Sequence, residues 1–164
     1  DNAALALEVA GVPRREARER ARARLPEFGL EAFADAYPAQ LSGGMRQRVA
    51  FLRTVLAGRP LLLLDEPFGA LDALTRVAIQ DWLVELLERE RRTVLLVTHD
   101  VDEAIYLADR VVVLTPRPAR IAHVEPVTTP RPRHRPFLTS PEFVAHKARI
   151  LAALGFLDDG GGDR

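Results

Sequence analysis

Leu61-Leu62-Leu63-Leu64-Asp65-Glu66-Pro67 sets an unbroken apolar run directly before two carboxylates and a proline. A run this short, without alternation, predicts a strand buried on both faces, the habit of parallel sheets. Thr93 to Val97 and Val111 to Leu114 repeat the pattern downstream. Helical periodicity fills the gaps. Leu74, Ala78, Trp82 and Leu86, with Val77, Ile79, Leu83 and Leu87, form one broad apolar face. Asp100 with Glu103 predicts a capping box opening a helix to Ala108. Strand, helix, strand, helix, strand is the order of a doubly wound α/β domain. Right-handed crossovers would then set the strand ends on one side.

Upstream, Ser42 to Gly58 predicts a well-punctuated helix. Ser42 is an N-cap residue, Gly58 suits a left-handed C-terminal cap, and Pro60 prevents continuation. Val49, Leu52, Val55 and Leu56 are its expected buried stripe. Arg14 to Arg24 alternates alanine with charge, pairs Glu16 with Arg20, and should stop near Leu25 because Pro26 and Gly29 follow. A short helix is expected from Glu31 to Ala36. Downstream, Thr115 to Arg120 reads as a turn and Ile121 to Val127 as an exposed strand, together a hairpin at a sheet edge. Arg131 to Pro136 reads as extended, Glu142 to Leu154 as a last amphipathic helix, and Asp158 to Arg164 as disordered.

Composition narrows the classes. The chain has 164 residues, 48% hydrophobic and 28% charged, with zero net charge and no cysteine. That is one domain's worth of sequence, able to bury a core. No global field selects nucleic acid or an anionic membrane. Disulfides and thiolate metal sites are excluded. No stretch approaches the roughly 20 apolar residues of a membrane span.

The chemistry sits at strand ends and helix tips. Asp65 and Glu66 leave a buried strand at its C-terminal end, where α/β sites form. Asp65 suits Mg²⁺, directly or through water, because the ion is hard and prefers oxygen. Glu66 suits polarising a water for attack on phosphorus; the plain alternative is a polar strand end entering a turn. Ser42, Gly43 and Gly44 open a helix whose first N–H groups lack partners, which makes an anion site; the plain alternative is a helix cap after a loop. Asp72, in Gly69-Ala70-Leu71-Asp72, is also an expected N-cap. His99 follows the second strand and can hydrogen-bond a phosphate or a water, although a lone histidine there is commonly structural. His123, His134 and His146 lack metal-ligand spacing and receive no role.

In their order, these motifs resemble the C-terminal half of an ATP-binding-cassette ATPase over residues 1 to about 125. Leu41 to Arg48 resembles the family's signature motif, and Leu61 to Glu66 its second nucleotide-binding motif. Gly69 to Asp72 resembles the loop crossing the dimer interface, and His99 the switch histidine. The resemblance implies the C-terminal half of a RecA-like P-loop NTPase sheet, with residues 1–45 in a helical subdomain, 46–127 in the nucleotide-binding core and 128–164 as a C-terminal extension. It implies ATP and Mg²⁺ as cofactors. Ser42, Gly43, Gly44 and Gln47 would touch nucleotide held by a second ATPase subunit in a homodimer, with Asp72 at that interface. Asp65, Glu66 and His99 would act on the subunit's own nucleotide. An integral membrane permease and, indirectly, a substrate-binding protein are the implied partners, on the cytoplasmic face of the membrane. Asp100 to Arg110, Thr115 to Ile121, Arg131 to Arg135 and Ser140-Pro141-Glu142-Phe143 resemble importers of the nitrate, sulfonate and taurine group.

Gly-x-x-x-x-Gly-Lys-Ser/Thr, the family's phosphate loop, is absent from these residues, whose only lysine is Lys147. The family places that loop N-terminal to the part present. Charged hydrogen bonds are worth roughly 1.5–3 kcal/mol each, so without the loop this chain is expected to bind ATP poorly, to show no hydrolysis alone and to expose strand edges. The competing readings are a non-transport cassette ATPase, an inert truncated remnant, and a nucleic-acid module using Arg117 to Arg135. The single helix between Arg48 and Leu61 favours the transporter type. The short basic stretch lacks interleaved aromatics, and no nucleic-acid partner is expected.

Overall fold

The computed structural model describes residues 1–156, so the expectation for Asp158 to Arg164 lies outside the described residues. The chain packs as two compact units. The first comprises Asp1–Ile79 with Arg91–Leu95, and the second Gln80–Glu90 with the chain from Leu96 onward.

In the first unit, α1 (Leu5–Val9) and α2 (Arg14–Arg24) pack through small residues. Ala4, Leu7, Ala17 and Ala21 form one buried cluster, with Leu56 against it. The charges of α2 stay outside, where Arg20 pairs with Glu16 at 2.5 Å and Arg15 with Glu19 at 3.1 Å. Gly29, at φ +64°, ends the turn after α2. The helix expected at Glu31 to Ala36 is only a 3₁₀ turn, Glu31–Phe33. Then α3 (Gly43–Leu56) begins as read: Ser42 Oγ accepts from the Met45 amide at 3.2 Å. It ends beside Gly58 at φ +68°, and Arg92 donates to the carbonyls of Val55 and Arg59 at 3.0 and 3.2 Å. Its buried face is Gly44, Phe51, Leu52 and Val55; Val49 and Leu56 are half-buried.

β1 (Leu61–Asp65) and β2 (Thr93–Val97) form a two-stranded parallel sheet. Burial on both faces, expected from the apolar runs, does not hold among the described residues. In β1 only Leu62 and Leu64 are buried, while Leu63 is 64% exposed. Leu95, in β2, is 56% exposed. Strand periodicity sends alternate side chains to opposite faces, and among the described residues only the Leu62 and Leu64 side of β1 is buried. The helix between the strands, α4 (Ala73–Glu90), starts in the first unit and ends in the second. Ile79, Leu83, Val84 and Leu86 are buried, but Leu74, Val77 and Ala78, expected on the apolar face, are exposed.

The second unit contains α5 (Val101–Leu107), β3 (Arg110–Leu114), β4 (Ile121–Pro126) and α6 (Pro141–Ala153). The expected hairpin is present, antiparallel, with Arg110 opposite Pro126 and Val112 opposite Val124. The third apolar run thus belongs to a separate two-stranded sheet, because the Thr115–Arg120 turn offers β3 a local partner. Ser140 Oγ caps α6 through the Phe143 amide at 3.1 Å. Ile105, Val111, Val113, Val127, Phe143 and Ile150 form the core.

Two polar features brace this core. Arg133, its side chain 1% exposed, donates to the carbonyls of Ala108 at 2.7 Å, Val127 at 2.9 Å and Thr129 at 3.1 Å. Glu125, its side chain 4% exposed, accepts from Arg149 Nη2 at 2.6 Å, His146 Nδ1 at 2.5 Å and His123 Nε2 at 2.8 Å. The Arg149 hydrogen bonds, then those of the histidines, outweigh burial and hold the Glu125 carboxyl at about 2, against 4.5 ordinarily. A depressed carboxyl stabilises the fold fully above its unfolded value and loses that contribution as pH falls toward the folded one. Acid is therefore expected to weaken this unit between about pH 4.5 and 2. Thermal unfolding at pH 6 and pH 3 checks this: the parent should lose more melting temperature than Glu125→Gln, and equal losses would contradict it.

Candidate functional site

Of the residues singled out by sequence, Ser42, Gly43, Gly44, Gln47, Asp65, Glu66 and Asp72 lie in the first unit and His99 in the second. Within the first unit, three local structures carry them.

The first is the N-terminal tip of α3. The helical ladder starts with the Arg46 amide donating to the Ser42 carbonyl at 2.9 Å. Ser42 Oγ occupies the Met45 amide. Helix geometry leaves the Gly43 and Gly44 amides as the donors without an intrahelical acceptor. Ser42 accepts in the cap, so its hydroxyl proton remains able to donate outward. Gln47 follows one turn on, half-buried. The two glycines differ. A Cβ on Gly43 would meet Leu71 Cδ2 at an ordinary 3.5 Å, whereas one on Gly44 would meet Thr75 Cγ2 at 2.8 Å and Ile79 Cδ1 at 3.5 Å. Gly44 is thus required for α3 to approach α4, a role the anion-site reading missed. Gly44→Ala is expected to cost about 1–3 kcal/mol by overpacking and Gly43→Ala clearly less. Urea unfolding of the two variants tests this; equal stabilities would contradict it.

The second is the end of β1. Asp65 is its last residue, on the exposed side of the alternation. Glu66 follows, exposed, at φ +44°, in the left-handed region that a side chain with a β-carbon disfavours. The Gly69 amide donates to the Glu66 carbonyl at 3.2 Å, and buried Leu64, Pro67 and Phe68 anchor the turn on both sides. Strain retained this way is typical of residues whose placement serves a function.

The third is the start of α4. Asp72 Oδ1 accepts from the Thr75 amide at 3.0 Å, so the expected N-cap is present. The Thr75 side chain, then its amide, holds the Asp72 carboxyl below its ordinary value. A Cβ on Gly43 would touch Leu71, so this turn lies close to the α3 tip.

His99, exposed, lies between β2 and α5. Asp100 caps α5 as expected, accepting from the Asp102 and Glu103 amides at 2.9 and 3.2 Å. Glu103 does more than its reading as a box partner suggested. It is buried, and it bonds Thr98 and Gln80. Only the apolar surroundings of Glu103 in Ala104 and Ile105 hinted at burial. Arg131, Arg133 and Arg135, read as a basic stretch, bond within the chain to Asp109, backbone carbonyls and Asp81. Among the described residues no group of three or more His, Cys, Asp or Glu is arranged to hold a metal ion. Asp65 therefore fits Mg²⁺ only as one ligand beside phosphate oxygens and water, the usual arrangement for that ion. The α3 tip, with the Ser42 hydroxyl and the Gly43 and Gly44 amides that lack an intrahelical acceptor, fits a phosphate.

Residues 2–69 match the family model described as ABC transporter. An aliphatic sulfonates import ATP-binding protein of Nocardia farcinica is 53% identical over 147 residues, 90% of this chain and 58% of that protein. An uncharacterized ABC transporter ATP-binding protein of Methanocaldococcus jannaschii is 49% identical over 153 residues, 93% of this chain and 56% of that protein. The chain thus spans a little over half the length of these curated relatives. Among solved structures, an ABC transporter in an inward-facing conformation aligns with a TM-score of 0.67 at 23% identity, over 88% of this chain and 55% of that one, and shows the shared fold. The dimeric, post-hydrolysis ATP-binding cassette MJ0796 bound to ADP and Pi aligns with a TM-score of 0.55 at 34% identity, over 72% of this chain and 50% of that one. These matches show that the chain belongs to the ATP-binding-cassette transporter family.

Proposed function

We propose that these residues form part of the ATP-hydrolysing subunit of an importer, working as a homodimer with a membrane permease. The observation that carries this is Glu66, held in a left-handed conformation directly after Asp65 at the end of β1. Residues 1–45 would belong to the helical subdomain, 46–127 to the nucleotide-binding core and 128–164 to a C-terminal extension. Asp65 would hold Mg²⁺, which, when bound, neutralises phosphate charge. Glu66 would accept the proton of the attacking water. His99 would hydrogen-bond the γ-phosphate. Ser42, Gly43, Gly44 and Gln47 would donate to nucleotide held by the second subunit, with Asp72 lining that interface. Binding of ATP would favour the closed dimer and so drive the permease. No helix among the described residues is long and apolar enough to cross a membrane, and the proposed placement is peripheral, on the cytoplasmic face.

The sulfonate-importing relatives support an organic sulfonate, or a chemically similar small anion, as cargo recognised by the partner proteins. Uptake of a labelled alkanesulfonate should fail in cells lacking the full-length protein. Unchanged uptake would exclude that cargo. Magnesium-dependent phosphate release from ATP by the purified full-length protein tests the ATPase role itself.

A further inference from the structure

The residues on either side of His99 are tied to a buried carboxylate. Glu103, 6% exposed, lies in the first turn of α5. It accepts from Thr98 Oγ1 at 2.8 Å and from Gln80 Nε2, on α4, at 3.0 Å. The same Thr98 hydroxyl accepts from the Asp100 amide at 3.0 Å. Asp100 in turn caps α5 through the Glu103 amide. Thr98, Asp100 and Glu103 thus close a hydrogen-bonded loop around the segment that carries His99, and Gln80 anchors it to α4. A carboxylate is costly to bury, and an apolar side chain could fill the position without that cost. What the carboxylate adds is direction: it fixes the Thr98 rotamer, and Thr98 fixes the Asp100 amide.

We infer that Glu103 is a positioning residue, which acts through Thr98 to fix the backbone presenting His99 to the γ-phosphate. The inference rests on the proposed role of His99. Orientation set before substrate arrives lowers the barrier to the chemical step without strengthening ground-state binding. Loss of the network therefore reduces kcat and leaves KM for ATP nearly unchanged.

The test uses the full-length protein and compares His99→Ala, Glu103→Ala, Thr98→Val, Thr98→Ser and the double variant Thr98→Val/His99→Ala. Thr98→Val removes the hydroxyl at almost constant shape, so it keeps the test valid if Glu103→Ala does not fold. Thr98→Val is expected to lower kcat roughly tenfold to hundredfold, with KM within about threefold. Thr98→Ser, which restores the hydroxyl, should recover most of that loss. The double variant should be no slower than His99→Ala, because the two act as one unit. A folded Thr98→Val that turns over at the parent rate while His99→Ala is slow would overturn the positioning role alone. So would a double variant slowed by the product of both effects. His99→Ala at the parent rate would overturn the role of His99 itself, and the inference with it.

Discussion

Glu66→Gln in the full-length protein is expected to leave ATP binding intact and to cut turnover by about 10²–10⁴-fold, the usual contribution of a positioned general base. Glutamine keeps the size and polarity of the side chain and removes only its ability to take a proton. The residue sits in a turn that buried Leu64, Pro67 and Phe68 hold from both sides, with its backbone at φ +44°. Glutamine carries the same backbone strain, so the variant should fold like the parent. A single-turnover assay of phosphate release, with equilibrium binding of labelled ATP, separates the two effects. Equal turnover would remove Glu66 from the role of base. Lost binding with unchanged turnover per bound ATP would make it a binding group instead.

Arg133→Met should produce the largest stability loss, about 3 kcal/mol or more from buried carbonyls left without donors. The guanidinium is almost fully buried and serves the carbonyls of Ala108, Val127 and Thr129 through its Nη1, Nη2 and Nε groups. Ile105 and Tyr106 carbonyls lie farther, at 3.4 Å. These acceptors include the end of α5, where the helix dipole also favours a cation. Methionine fills much of the volume but donates nothing. Burial is what lowers the Arg133 affinity for its proton, yet the donor set keeps the charge worth burying. Urea unfolding measures the loss; a change below about 1 kcal/mol, the scale of an ordinary surface substitution, would contradict this role.

Local signals were legible where a side chain acts on its own neighbourhood. Ser42 caps its helix as its position requires, and Gly58 takes the left-handed conformation that a helix end favours. The β3–β4 hairpin follows from the turn between its strands. Features decided by distant partners were not legible. Leu61 and Leu63 read as doubly buried, but apolar runs do not state which layers are present to cover them. Arg133 read only as part of an extended basic stretch and His146 received no role, because their partners lie far along the chain or on another element. Gly44 read as part of an anion site, while its missing β-carbon faces Thr75 across a helix contact. The carboxylates at the end of β1 were visible at once, but the left-handed backbone of Glu66 was not, since nothing in its local sequence demands it.

Sedimentation of the full-length Glu66→Gln protein with Mg²⁺ and ATP tests the central claim, that the α3 tip of one subunit completes the nucleotide site of another. The account predicts a dimer that forms only with ATP, and its loss when Ser42→Arg is added, although each monomer still binds ATP. A double variant that dimerises as readily as Glu66→Gln alone would contradict it.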